Sequence, residues 1–245
     1  MTLAALALAP GLALGSFLNV VAARVPLRRS IVRPPSACMT CSHELSWYEN
    51  VPLLSYGFLR GRCRSCGEHI PLRYPAVELV AALLVAGCVW KFGFHAESLV
   101  AAFFCLALVA LSATDLEHRI IPNRIVVPAA AIVLAAQTAL KPSPEWAIAA
   151  FGACGFLLLT ALVYPAGMGM GDVKLALLLG GMRGRTVPVA ILLGLVAAML
   201  PAFALLARHG SAARKMGIPL GPFLALGSVV ALFAGHPLLH LYLHH

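Results

Sequence analysis

The 245-residue sequence predicts an all-α polytopic membrane protein, with about eight transmembrane helices and a small cytoplasmic loop module after the first. Three observations carry this. Apolar residues make up 61% of the chain and charged residues 11%, against about 45–50% and about 25% in soluble domains. The apolar residues gather into eight runs separated by short polar segments. One longer segment, Arg24 to Tyr74, is polar and arginine-rich. The composition excludes a soluble globular enzyme and a disordered chain. A net charge of +9 would suggest nucleic acid in a soluble protein. Here the tendency of cytoplasmic loops to collect Lys and Arg explains it, so the lipid bilayer is an expected partner and nucleic acid is not.

The first run is Leu3 to Ala23. The others are Ala76 to Trp90, Leu99 to Ala113, Ile125 to Leu140, Trp146 to Val163, Val173 to Met182, Val187 to Ala207 and Phe223 to Leu243. A spanning helix needs about 20 apolar residues, and seven runs are near that length. The sixth is about 15 Å of helix, half a bilayer unless it extends through Gly184. Fusing or dropping it gives seven spans. No basic stretch precedes the first run, which argues against a cleaved signal peptide. Arg24, Arg28, Arg29 and Arg33 follow it, placing the amino terminus outside and the next loop inside. Alternating from there puts 14 basic residues in inner loops, Lys174, Arg208, Arg214 and Lys215 among them. The 4 in outer loops are Lys91, Lys141, Arg183 and Arg185. Both termini are therefore expected outside. The chain divides as a first helix (1–23), a cytoplasmic module (24–75) and a helix bundle (76–245).

The module has 51 residues from Arg24 to Tyr74, with 8 Arg and 3 Glu. Domains this small usually need a staple. Four of the seven cysteines lie here, as Cys38-Met39-Thr40-Cys41 and Cys63-Arg64-Ser65-Cys66, with 21 residues between the pairs. Paired Cys-x-x-Cys turns read as a tetrahedral zinc site. Each tight turn puts two thiolates on one side, and two turns close a four-sulfur tetrahedron. Arg62 and Arg64 would offset its formal charge of −2. Two disulfides are the competing reading, which a reducing cytoplasm disfavours. A closed four-cysteine site leaves no open coordination position, so the zinc is structural. His43 and His69 are nearby alternatives as ligands, or solvated loop histidines. Cys88, Cys105 and Cys154 lie in apolar runs and read as packing residues.

The chain has only two aspartates. Asp115 ends the third run, and Asp172 follows Gly167-Met168-Gly169-Met170-Gly171 to open the sixth. Ionisable groups at membrane depth are costly and are functional candidates by default. Singly, Asp172 also reads as a helix N-cap after a glycine-rich turn, and Asp115 as an interfacial charge beside Glu117 and Arg119. As a pair they suggest acid–base chemistry. Two carboxylates sharing a site do not both ionise easily, so one keeps its proton. The ionised one takes a proton from water and the other polarises a carbonyl, which hydrolyses a peptide bond without a metal or covalent intermediate. Gly169 and Gly171 allow close approach by another helix or an extended substrate strand.

These motifs, in this order, resemble the type IV prepilin leader peptidases, the prepilin peptidase/N-methyltransferase family of G-x-G-D membrane aspartic proteases. Gly15-Ser16-Phe17-Leu18-Asn19-Val20 with Arg24 and Pro26 looks like the family's first helix, and the Cys-x-x-Cys pairs like its zinc module. Arg73-Tyr74-Pro75 and Glu78-Leu79 look like the start of its second helix. Asp115-Leu116 with Ile121-Pro122-Asn123 matches the first catalytic-aspartate region. Gly169-Met170-Gly171-Asp172-Val173-Lys174 matches the second. Ile218-Pro219-Leu220-Gly221-Pro222-Phe223-Leu224-Ala225 looks like its final motif.

The resemblance implies an aspartic endopeptidase of the bacterial cytoplasmic membrane. Such enzymes remove the short basic leader of prepilins and pilin-like secretion proteins at the cytoplasmic face, typically after a glycine. It implies Asp115 and Asp172 as the catalytic pair, Gly169, Gly171 and Lys174 as supporting residues, and Cys38, Cys41, Cys63 and Cys66 as zinc ligands. It also implies N-methylation of the new amino terminus from S-adenosylmethionine. No glycine-rich strand-to-helix turn of a Rossmann methyltransferase accompanies that second activity, so no methyl-donor residues are assigned. Asn123 departs from the family pattern, standing where many relatives have Asp. Two other readings share features. Presenilin-like proteases have G-x-G-D, but their partner aspartate sits in a tyrosine-containing motif, unlike Ser112-Ala113-Thr114-Asp115. A transporter with a proton-relay pair would place charges near mid-membrane and often shows repeated halves, and neither is seen.

Overall fold

The computed structural model describes residues 2–164, 168–210 and 217–243, with side chains described as far as Gly235. Gly167, Arg214 and Lys215 lie outside the described residues. The protein is all-α. Its long helices are α1 (Thr2–Arg24), α2 (Arg73–Phe92), α3 (Ala96–His118), α4 (Asn123–Leu140), α5 (Glu145–Val163), α6 (Met170–Arg183), α7 (Val187–His209) and α8 (Gly221–Leu243). Each apolar run of the sequence thus forms a helix. Among the described residues, six helical stretches are long and apolar enough to cross a membrane. α6 and α7 together count there as one 40-residue stretch, Met170–His209, and the part of α8 with described side chains, Gly221–Gly235, is shorter. The sixth run forms the 14-residue α6, which stops at Arg183 and does not continue through Gly184, where φ +51° leads into a 3-10 turn before α7. Pro128 and Pro201 lie inside helices, but other prolines sit where helices tolerate them. Pro75, Pro188 and Pro222 fall in first turns, where the missing N–H has no partner to lose. Pro10 explains the one-residue break of α1 at Ala7, since its ring crowds the carbonyl four residues earlier.

Two compact units make up the chain, Met1–Ala113 and Thr114–His245. In the first, α1 packs on α2. Gly11, Gly15 and Asn19 fall on one face of α1. A Cβ on Gly11 would lie 2.7 Å from Ala82 Cα, and one on Gly15 2.7 Å from Glu78 Cα. One turn on, Asn19 Nδ2 donates to Tyr74 O at 3.1 Å. Small residues one turn apart let helix backbones touch where lipid offers no hydrophobic drive. Cys88 of α2 and Cys105 of α3 are buried with their sulfurs 3.9 Å apart, as packing residues.

In the second unit α6 packs on α5 and α4, and α7 on α8. Gly180 of α6 sits against Ala149 O and 2.5 Å from Ala150 Cα, measured from a built Cβ. Gly194 and Gly227 do the same between α7 and α8. α6 is therefore short but enclosed, with nine buried residues from Asp172 to Met182. At its end Arg183 Nη2 donates to Thr186 Oγ1 at 2.7 Å and to Ala231 O. The charge turns into the protein rather than standing in a loop.

Candidate functional site

Asp115 lies in the last turn of α3 and Asp172 in the first turn of α6. Both are buried, at 6% and 9% exposure, and both belong to the unit Thr114–His245. Gly169, not Asp172, flanks the start of α6, and the Asp172 N–H donates to Gly169 O at 3.1 Å. The N-cap reading of Asp172 is thus overturned. Its carboxylate accepts instead from the Gly169 N–H, and it is close enough to that of Asp115 for the two to interact electrostatically.

Ile121 is the spacer that arranges them. A Cβ on Gly171 would lie 2.8 Å from Ile121 Cβ. A Cβ on Gly221 would lie 2.8 Å from Asp115 Oδ2 and 3.4 Å from Ile121 Cδ1. Only glycine therefore lets the starts of α6 and α8 close on the end of α3. Gly221, the first residue of α8, donates its N–H to Asp115 Oδ2 at 3.0 Å. Gly169 is different. Among the described residues, a Cβ there meets nothing closer than Asp172 Oδ2 at 3.6 Å, an ordinary contact distance. Lys174 Nζ donates to Asn123 Oδ1 at 2.9 Å, which ties the first turn of α6 to the first residue of α4. The lysine acts on helix placement, with Asn123 as its partner. Gly221 and Ile121 carry roles that sequence reasoning did not assign, although both lie in quoted motifs. The signal was a glycine followed by Pro222 just before an apolar run.

The four module cysteines form one cluster, with all four sulfurs within 4.8 Å of one another. Cys38 and Cys66 are 3.7 Å apart and Cys41 and Cys63 3.9 Å. A zinc–sulfur bond of about 2.3 Å gives a tetrahedron with edges of about 3.8 Å. A disulfide would need about 2.05 Å, and all four thiols are free. The spacing fits a divalent ion. Two turns of the same design build it. Cys38 and Cys63 donate their N–H groups to His43 O and Glu68 O, and accept at their own carbonyls from Ser42 and Gly67. Ser42 and Gly67 both have positive φ, and isolated bridges close each turn. Backbone N–H groups of Cys41 and Thr40 pull the Cys38 thiol down to about 6. At Cys66 the Glu68 N–H works downward, but burial and three crowding thiols win and push it up to about 12. His43 stays outside the cluster, with Nε2 3.5 Å from Glu49 Oε2.

A cleft of about 360 Å³ opens beside the cluster, lined by Tyr48, Val51, Leu54, Phe58, Leu59 and Arg64. It does not fit S-adenosylmethionine, which needs groups for an amino acid, a ribose and a cationic sulfur. Its polar members already have partners. Glu49 accepts from Ser46 N–H at 2.9 Å, and Arg64 Nη1 donates to Tyr48 Oη at 2.6 Å.

A family model described as the bacterial peptidase A24 N-terminal domain matches residues 10–92, and one described as the type IV leader peptidase family matches residues 102–205. A protein of Bacillus subtilis (strain 168) named prepilin leader peptidase/N-methyltransferase is 36% identical over 95% of each chain. A Pseudomonas aeruginosa protein of the same name is 35% identical over 95% of this chain and 91% of its own. One from Myxococcus xanthus (strain DK1622), also so named, is 44% identical over 69% of this chain and 53% of its own. No solved structure matches. With two family models in series and a relative that aligns over 95% of each chain, the chain belongs to the type IV leader peptidase family.

Proposed function

We propose that this protein is a membrane aspartic endopeptidase that removes the short basic leader from prepilins or pilin-like secretion proteins and then N-methylates the new amino terminus. The observation that carries the reading is the burial of both aspartates at helix ends that Gly171, Gly221 and Ile121 bring together. Two neighbouring carboxylates in a dry site do not both ionise. The ionised one takes the proton of an attacking water while the other donates a hydrogen bond to the scissile carbonyl oxygen. The Gly221 N–H, donating to Asp115 Oδ2, holds that carboxyl group in place. Lys174 holds α6 in register through Asn123.

The four-cysteine cluster holds a structural zinc in this reading. The ion supplies folding energy to a loop with little core of its own. S-adenosylmethionine, for which no holding residues are assigned, would be the source of the methyl group. The enzyme sits in a bacterial inner membrane, both termini outside and the module cytoplasmic, with α6 as the short sixth of eight spans. The functional division follows: first helix 1–23, zinc module 24–75, catalytic bundle 76–245. The 14-to-4 asymmetry of basic residues supports this orientation. The test is direct. Purified protein in detergent, given a prepilin-like substrate with a basic leader ending in glycine, yields one cut after that glycine by mass spectrometry. Adding S-adenosylmethionine adds one methyl group to the new terminus. An intact substrate would overturn the reading.

A further inference from the structure

We propose that the short helix Leu54–Phe58, together with Trp47 and Tyr48, is a membrane-facing foot that rests the metal-binding module on the lipid bilayer its flanking helices cross. The patch is contiguous. Leu54 and Phe58 are one helical turn apart and share a face. Both line the cleft that Tyr48 also lines, and the Trp47 ring stands edge-on to that of Tyr48 at 5.8 Å. The patch is also bare, with Trp47 82% exposed, Phe58 85% and Leu54 62%. A module this small and polar has no reason to leave three of its largest apolar side chains in water.

Depth decides what covers them. The residue before the short helix, Leu53, donates its N–H to Glu78 Oε2 at 2.9 Å. Glu78 is buried in α2, five residues beyond Arg73, about 7.5 Å along the axis at 1.5 Å per residue. Leu53 takes φ +58°, the left-handed region that a leucine rarely enters, and its N–H makes this bond. The loop is therefore fastened to a residue inside the candidate span Arg73–Phe92. There the exposed face of α2 is already apolar, with Leu79, Val80 and Leu83 uncovered. Leu54 and Phe58 continue a surface that lipid must cover. Trp and Tyr favour the headgroup level. Arg60 and Arg62 are exposed nearby, where anionic headgroups attract them. Arg64 lies 5.6 Å over the Tyr48 ring. The inference rests on α2 being a membrane span and is independent of the peptidase chemistry.

The experiment uses the full chain in nanodiscs of phosphatidylcholine and phosphatidylglycerol. Trp90→Phe with Trp146→Phe leaves Trp47 as the single tryptophan. Acyl chains brominated at graded depths then act as contact quenchers. The expected result is a blue-shifted Trp47 emission, quenched most by the shallowest bromines, and a shift to the red on adding Leu54→Ser and Phe58→Ser. Emission at the wavelength of exposed tryptophan, unquenched at every depth, overturns the proposal. So does blue-shifted emission that no brominated lipid quenches, because protein, a second copy or a substrate, would then be the cover. Should the double tryptophan variant fail to fold, Phe58→p-benzoylphenylalanine in the otherwise unaltered chain serves instead. Irradiation should yield a lipid adduct, and protein adducts alone, or none, count against it.

Discussion

Gly169 and Gly171 are two residues apart in one motif, yet the structure gives them different work. A methyl group at Gly171 would strike Ile121, while one at Gly169 finds ordinary contact distance. Gly171→Ala should therefore cost about 1–3 kcal/mol of stability, as overpacking does, and lower cleavage with it. Ile121→Gly, which removes the Cβ that the new methyl strikes, should recover part of the loss, with a coupling of about 0.5–3 kcal/mol in a double-mutant cycle. Gly169→Ala should melt like the parent, and any loss should appear only in turnover of substrate. Equal melting of the two alanine variants would contradict this division. Gly221→Ala places its methyl against Asp115 Oδ2 and should suppress cleavage more than it lowers melting temperature.

Helix boundaries explain what the sequence could and could not reveal. Long apolar runs between polar breaks made all eight helices legible, and the Cys-x-x-Cys spacing made the cluster legible. The start of α6 was less so. Apolar content begins at Val173, but the helix begins at Met170, because glycines and an aspartate carry no apolar signal while still adopting helical backbone. That difference moves Asp172 from a cap to a buried first-turn position. The Asp115–Gly221 bond joins residues 106 apart, and the Leu53–Glu78 bond depends on a left-handed leucine. No local periodicity encodes either. Lys174 with Asn123 is a third such tie. Lys174→Met should cost about 0.5–1.5 kcal/mol, a typical net hydrogen bond, reduced by its partial exposure. Asn123→Asp keeps an acceptor there and should preserve both melting and cleavage. A melting profile of Lys174→Met identical to the parent would remove the positioning role.

For the molecule as a whole, the two units make separable demands. The four thiols lie in Met1–Ala113 and the aspartates in Thr114–His245. Elemental analysis should find one zinc per chain. Cys41→Ser or a strong chelator should remove it and expose residues 24–75 to added protease, because a structural site contributes folding energy directly. Cleavage should survive this better than methylation does. A chain without metal and with all four thiols reactive would contradict the metal assignment.

The central claim is that Asp115 and Asp172 together cut the substrate. Its most direct test is the rate of leader removal by purified Asp115→Asn and Asp172→Asn variants, each checked for unchanged melting and for methyl transfer to a substrate already cut. Each isosteric change removes an acid–base group worth roughly 10²–10⁴ in rate. Both single variants should lose cleavage by at least that factor while still methylating the cut substrate. Either variant, folded and cleaving at the parent's rate, would contradict the account.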